Sequence, residues 1–191
     1  MTDVALCIAR DHDLPLVALA LLVCLIGSAV TVQLFGRIRA ATGGSRLGWV
    51  GLSAVATGTM VWCTHFVAMM AFVSRGPVTL DPALTMASLG VAIVFAMPGL
   101  ALAAHVRRRW TAVGGGLVGG AMAAMHYAGM AAYRMDGFVA WRGSYVAASV
   151  LLSCGLSAAA FATFRSRRLR RRISGGLLLG LAVAVLHFTG M

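Results

Sequence analysis

Six long apolar stretches, joined by short connections, constrain the fold of this chain more than any other feature of its sequence. They lie near residues 14–35, 48–73, 83–105, 112–133, 143–164 and 173–191. At 1.5 Å per helical residue, each is long enough, or nearly so, to cross a hydrocarbon core of ~30 Å. The composition agrees, because 60% of the 191 residues are hydrophobic and only 11% are charged, against about 25% charged in soluble domains. The sequence therefore predicts an all-α membrane protein with six transmembrane helices.

The formal net charge of +11 is concentrated in alternate connections. The first and third connections hold three arginines each and the fifth holds six, whereas the segments between them carry little net charge. Membrane proteins concentrate arginine and lysine in their cytoplasmic loops, so we expect the N-terminus outside and the arginine-rich connections in the cytoplasm. Arginines placed there anchor the topology and contact anionic headgroups of the lipid bilayer. This reading is preferred to nucleic-acid binding, and no nucleic-acid partner is expected.

A histidine motif recurs at a fixed interval along the chain. His65, His126 and His187 are 61 residues apart, and each is followed directly by an aromatic residue. The methionines four positions further on are Met69, Met130 and Met191. A fixed period is the signature of repeated structural units. We therefore expect three repeated helix pairs, near residues 14–73, 83–133 and 143–191, with the motif on the second helix of each pair.

The repeated motif places polar rings inside hydrocarbon at one depth. One intramembrane histidine could simply form an interhelical hydrogen bond, and methionine is usually core filler. Three copies at the same depth instead predict that three imidazoles and several thioethers converge near the outer face. In the fourth stretch Met122, His126 and Met130 lie on one helical face and Met125 borders it.

The ligand types favour copper, because thioether sulfur suits Cu(I) and imidazole suits both copper oxidation states. No acidic residue lies in any of the six stretches, which disfavours magnesium, calcium and manganese. Zinc could use three histidines, although the methionines would then have no role as ligands. Haem held by histidine and methionine remains the less favoured rival.

At these motifs the sequence resembles the MHYT domain family of bacterial integral-membrane sensor domains. The resemblance rests on THFVAM at 64–69, MHYAGM at 125–130 and LHFTGM at 186–191, and extends to HDLPLVALALLVC at 12–24 and DPALTMASL at 81–89. It implies a copper-binding domain of the bacterial inner membrane that senses O2, CO, NO or redox state. It also implies a cytoplasmic signalling partner or output domain, such as a cyclic-di-GMP enzyme or a histidine kinase. The metal ligands carried over by position are His65 with Met69, His126 with Met125 and Met130, and His187 with Met191, with His12 as a further contributor.

Several expectations concern the chain as a whole. Residues 1–191 are expected to form one MHYT-like transmembrane sensor domain with its output domain absent and a possible seventh helix missing. The sequence lacks paired carboxylates, a Ser/His/Asp set and a phosphate-binding loop, so we expect no enzymatic activity. The alternatives left open are a haem or quinol electron-transfer module and a metal permease. The GGG at 114–116 and the GG at 119–120 are expected to permit close helix packing.

Overall fold

The computed structural model describes residues 12–73, 78–135, 141–166 and 168–190, and six long helices dominate that part of the chain. We number them in chain order: α1 Leu14–Ala40, α2 Gly43–Ala71, α3 Pro82–Ala103, α4 Arg108–Ala132, α5 Gly143–Phe164 and α6 Leu169–Gly190. The predicted all-α fold is confirmed. The helices extend past the predicted apolar stretches mainly at the arginine-rich connections, because hydropathy marks the hydrocarbon-embedded part of a helix and not its ends.

Five of the six helices (α1, α2, α3, α5 and α6) are long and apolar enough to cross a membrane. Large apolar side chains on their outer faces are exposed, including Leu21, Phe95 and Leu151. An apolar surface of this kind is expected where a protein meets lipid rather than water. The helix that falls outside this group, α4, begins with arginine and is rich in glycine, which lowers its hydropathy without changing its place in the bundle.

The helices form a closed ring in which each contacts its neighbours in sequence and α1 contacts α6. The second helices of the three predicted pairs, α2, α4 and α6, also contact one another across the centre, through α2–α4 and α4–α6 contacts. Accordingly, 61% of the apolar span of α2 and 50% of that of α6 are buried, against 28–33% for α1, α3 and α5. The motif-bearing helices therefore lie inside and their partners face lipid.

Glycines allow α4 to pack closely on both sides. A Cβ at Gly119 would lie 2.6 Å from the Ser153 carbonyl oxygen of α5, and a Cβ at Gly99 of α3 would lie 2.9 Å from the backbone nitrogen of Val118. No larger residue fits at such a helix crossing without backbone movement. The packing role predicted for the glycine runs of α4 is confirmed at Gly114, Gly115 and Gly119, which all face neighbouring backbone.

A small ribbon and two helix caps organise the end of the bundle that carries the histidine motifs. Strand β1 Val78–Leu80 pairs antiparallel with β2 Tyr133–Met135, a feature that the sequence did not predict. Asp13 and Asp81 cap α1 and α3 by accepting backbone N–H bonds with their side chains, as N-cap aspartates commonly do. Asp13 N–H also donates to the Ala71 carbonyl at 2.7 Å, so the start of α1 is tied to the end of α2.

Candidate metal centre

The three motif histidines meet at the centre of the bundle. Each lies within six residues of the end of its inner helix, and their side chains are 1–4% exposed. The centroids of the three rings are 4.8, 5.4 and 5.7 Å apart. We call His65, His126 and His187 the histidine cluster; three helices carrying the same motif at the same height have brought one imidazole each to a common point.

The Nδ1 atoms of the histidine cluster face one another. His65 Nδ1 lies 3.2 Å from His126 Nδ1 and 3.3 Å from His187 Nδ1. A neutral imidazole Nδ1 carries either one proton or one lone pair, so His65 can form a good hydrogen bond with one of these neighbours but not with both. The arrangement is therefore poorly explained as a hydrogen-bonded trio.

The same distances fit a shared metal ion. Metal–nitrogen bonds of about 2.0–2.1 Å in a tetrahedral site place neighbouring ligand atoms about 3.3 Å apart. One ligand nitrogen can be taken from each of the three histidines so that all lie within 4.8 Å of one another. Buried imidazoles without a charged partner are costly in hydrocarbon, and a bound ion would compensate that cost. The residues present therefore fit a three-histidine metal site with a further coordination position for another ligand.

The predicted methionine ligands lie at different places. Met125 is fully buried and lines the cavity beside the histidine cluster. Met122 packs toward α5, where its sulfur lies 3.9 Å from the Ser157 hydroxyl, and Met69 lines a separate surface pocket next to β1 and β2. Met130 is half-buried. Met191 lies outside the described residues. A ligand role for any of these sulfurs stays a prediction.

His12 lies at the same end of the bundle but outside the histidine cluster. It is 7% exposed, its backbone bridges to Phe72, and its ring packs edge-on against Phe72 and Phe188. Its position next to the aromatic neighbour of His187 keeps it close to the cluster. His105 lies exposed at the opposite end of the bundle, where its Nδ1 accepts a hydrogen bond from the Arg107 backbone N–H.

An apolar cavity of about 230 Å³ adjoins the histidine cluster. It lies between α1, α2, α4 and α6, and its wall includes all three histidines. Apart from the imidazoles and Thr64, its lining is apolar, with Val17, Leu21 and Val183 as representatives. A small uncharged molecule could reach the imidazole nitrogens from this space, whereas a hydrated ion would find few polar partners.

Sequence reasoning missed three contributors to this site. Cys24 lines the cavity, and its Sγ lies 3.8 Å from the Gly180 carbonyl oxygen. A Cβ at Gly129 would lie 2.5 Å from His65 Nε2, and one at Gly190 would lie 2.6 Å from His126 Nε2. Gly129 and Gly190 are each three residues after a motif histidine, so the 61-residue repeat itself was the signal that could have revealed them.

Comparisons with known proteins agree with this geometry. The family model for the bacterial signalling protein N-terminal repeat, MHYT, matches residues 58–116 and 119–176, more than half of the chain. The chain belongs to the MHYT family. The two matches begin at residues 58 and 119, the same interval that separates the histidines. The MHYT repeat and the histidine repeat therefore have one period.

Curated relatives of this MHYT chain are signalling proteins. A signalling protein of Caulobacter vibrioides is 39% identical over 97% of the chain. In Pseudomonas aeruginosa, the bifunctional diguanylate cyclase/cyclic di-GMP phosphodiesterase MucR is 35% identical over 95% of the chain, and the cyclic di-GMP phosphodiesterase NbdA is 34% identical over 92%. The chain spans only 23–28% of the length of these three relatives. No solved structure matches the chain.

Proposed function

We propose that this MHYT domain is a membrane-embedded sensor that holds one copper ion in its histidine cluster and responds to O2, CO, NO or redox state. The observation that carries the proposal is the convergence of three buried Nδ1 atoms, two pairs of which lie 3.2 and 3.3 Å apart. Copper bound by imidazoles would supply an open coordination position for a diatomic molecule. His65, His126 and His187 would hold the ion, and the bundle around them would exclude water.

The apolar cavity supports a diatomic ligand over a larger one. At about 230 Å³ it is smaller than the 300–1,000 Å³ typical of pockets for drug-sized ligands, and a haem or a quinol is at least that large. Nearly all of its lining is apolar, which suits O2, CO and NO because they are uncharged and partition into the bilayer. These features favour the gas sensor over the haem or quinol alternative.

A metal permease is the second alternative, and one observation bears on it. Buried hydroxyls continue from the histidine cluster along α1 and α2, including Ser28, Ser53 and the Thr31–Thr57 pair at 3.1 Å. A permeating ion would need space beside them. The void lined by Thr57 measures only about 10 Å³, room for about one water molecule. Uptake of copper into proteoliposomes would favour the permease.

Signal output belongs to a partner or a further domain in this proposal. The relatives named for cyclic di-GMP chemistry are about four times longer than the chain, so we assign catalysis to their remaining parts and sensing to the MHYT region. We place the arginine-rich connections in the cytoplasm, by the positive-inside rule, and the histidine cluster near the outer face. A cyclic-di-GMP enzyme or a histidine kinase would then receive the signal from the cytoplasmic helix ends.

Copper content and CO binding test the sensor directly. The protein is loaded with Cu(I), and copper is counted by mass spectrometry before the infrared spectrum is recorded under CO. We expect one copper per chain and one C–O stretching band. Both should disappear in the triple variant His65→Ala, His126→Ala, His187→Ala and persist in His105→Ala, which removes a histidine at the other end of the bundle. Unchanged copper content in the triple variant would contradict the proposal.

The signalling role needs a second experiment. This chain replaces the matching region of MucR, and cyclic di-GMP is measured in cells with and without copper and NO. A response that is present in the chimera and lost in the triple histidine variant is expected. A chimera that makes cyclic di-GMP at the same rate in all conditions would argue against a sensor of these signals.

A further inference from the structure

The contact between α1 and α6 closes the ring, but the two helices leave open space between them along much of their length. Among neighbouring helix pairs in the described bundle it is the least extensive contact. Its half near the histidine motifs contains part of the apolar cavity described above. Its other half contains a separate groove of about 720 Å³, which the proposed function does not use. We call this second space the arginine-side groove.

The arginine-side groove is lined mainly by apolar side chains, with Gln33 on its α1 wall, and is cationic at one end. Its α1 wall runs from Leu25 to Arg37, and its α6 wall runs from Leu177 to Leu169. Arg37 lies twelve positions after Leu25, a rise of about 18 Å, which is close to the ~15 Å depth of one leaflet of the hydrocarbon core. This wall therefore has about the length of a lipid acyl chain.

Two arginines, Arg37 and Arg172, lie at the end of the groove that would be level with the lipid headgroups. Arg172 crosses from α6 to α1, where its Nη2 donates to the Val32 carbonyl at 3.3 Å. The Arg37 guanidinium lies 5.9 Å from the centre of the Trp49 ring. Each contact fixes a guanidinium while using few of its five N–H donors, and the remaining donors match the oxygens of a phosphate.

The chain supplies no anion to these arginines from the helices that form the groove. Neither α1 nor α6 contains an aspartate or a glutamate. The five acids of the whole sequence are Asp3, Asp11, Asp13, Asp81 and Asp136, and of these Asp13 and Asp81 cap helices at the histidine end. A negatively charged occupant must therefore come from outside the pair of helices, and the surrounding bilayer offers one.

We propose that the arginine-side groove binds one anionic phospholipid, with an acyl chain along α1 and α6 and its phosphate on Arg37 and Arg172. Basic pockets between transmembrane helices commonly bind anionic headgroups. The lipid would complete the open half of the ring and tie α1 to α6. This inference is independent of the copper site, because the two cavities have no lining residue in common.

Lipid binding to the purified, delipidated chain tests the proposal. Native mass spectrometry is used to titrate phosphatidylglycerol and phosphatidylcholine onto delipidated protein in detergent. We expect one tightly bound phosphatidylglycerol and no comparable binding of phosphatidylcholine. Each arginine near a charged membrane surface contributes about five-fold in binding, so Arg37→Gln with Arg172→Gln should weaken phosphatidylglycerol binding by about twenty-five-fold.

A matched variant controls for charge. Arg108→Gln with Arg109→Gln removes the same charge at the start of α4, on the opposite side of the ring, and should change the affinity less than two-fold. Ala29→Trp, which fills the groove without changing charge, should also prevent binding. Thermal unfolding of each variant distinguishes loss of the groove from loss of the fold.

Four results would overturn the proposal. Equal binding of the two lipids would remove the charge argument, and equal weakening by the two double variants would remove the site. Competition by inorganic phosphate at millimolar concentration would point to a free anion rather than a lipid. Cross-links from the groove to a second copy of the chain would show that a helix occupies it. None of these results depends on copper, so they leave the sensor hypothesis untouched.

Discussion

At the scale of single residues, the histidine cluster depends on neighbouring glycines, which have no side-chain functional group. Gly129 leaves space for His65, and Gly190 leaves space for His126, each on the next inner helix along the chain. The residue that corresponds to these glycines in the first copy is Ala68. The glycines therefore set how closely the inner helices can bring their imidazoles together.

Gly129→Ala should weaken metal binding without unfolding the protein. The added Cβ would lie 2.5 Å from His65 Nε2, and a side-chain ring can rotate away where a backbone cannot. We expect copper affinity to fall by at least ten-fold in a competition titration with a chromogenic Cu(I) chelator. Gly120→Ala is the control, since its Cβ would lie 3.9 Å from the nearest atom, Cys154 Sγ. Equal affinities for the two variants would contradict this reading of Gly129.

Substitutions of Met125 and Met122 test which of the two methionines lies nearer the metal, because their side chains have different surroundings. Met125→Leu should change the copper affinity or the C–O stretching frequency, because Met125 lines the cavity at the cluster. Met122→Leu should change neither, because the Met122 sulfur lies against Ser157. Both substitutions keep the side-chain volume nearly constant. A larger effect of Met122→Leu would contradict the expectation that Met125 is the methionine nearest the metal.

At the scale of helices, α4 is the element on which the bundle depends most. It packs against α3 through one glycine-bearing face and against α5 through another, and it carries His126 at the centre of the bundle. Its low hydropathy and its burial both follow from its glycines, because glycine is only mildly apolar but permits helices to approach closely. Close packing of this kind replaces the hydrophobic effect as the driving force inside a bilayer.

Gly119→Ala should destabilise the bundle. The new Cβ would lie 2.6 Å from the Ser153 carbonyl oxygen and 2.7 Å from Cys154 Cα, which are backbone atoms that cannot turn aside. Overpacking of this kind costs about 1–3 kcal/mol, and thermal unfolding in detergent should show a lower Tm. The neighbouring substitution Gly116→Ala, with its nearest atom at 3.9 Å, should leave the Tm unchanged or raise it slightly. A Tm equal to that of the wild type for Gly119→Ala would contradict the packing argument.

The sequence predicted the helices well and the site only in part. Apolar stretches located all six helices, and the 61-residue repeat identified the three histidines that meet. The sequence could not show that Met125, and not Met69, faces the cavity. Both methionines lie four residues or fewer from a motif histidine, and only tertiary packing decides which of them faces the cavity. Sequence reasoning also missed the ribbon of β1 and β2, whose three-residue strands are too short to show an alternating pattern.

At the scale of the whole molecule, the fold is a repeat closed into a ring. The three helix pairs place the motif histidines at a common point, and the α1–α6 contact is where the first and last pairs meet. The cavity at the histidine cluster and the arginine-side groove both lie along the α1–α6 contact. A ligand at the histidine end therefore sits where the ring is least constrained, which is a suitable place to couple binding to helix movement.

Copper should stabilise the folded bundle. An ion that binds only the folded state raises stability by about 4 kcal/mol when its concentration is about 1,000 times Kd, because the three histidines are assembled only by folding. Scanning calorimetry of the chain in detergent, with and without Cu(I), should show a rise in Tm. The triple histidine variant should show no rise. A similar shift in both proteins would indicate binding elsewhere.

X-ray absorption at the copper edge can show directly whether three imidazoles share one copper ion. We predict that copper in the Cu(I)-loaded protein has three nitrogen neighbours at about 2.0 Å, with the outer-shell scattering that imidazole rings produce, and that this signal is lost in the triple histidine variant. A copper ion surrounded mainly by sulfur, or by one imidazole alone, would contradict the shared three-histidine centre.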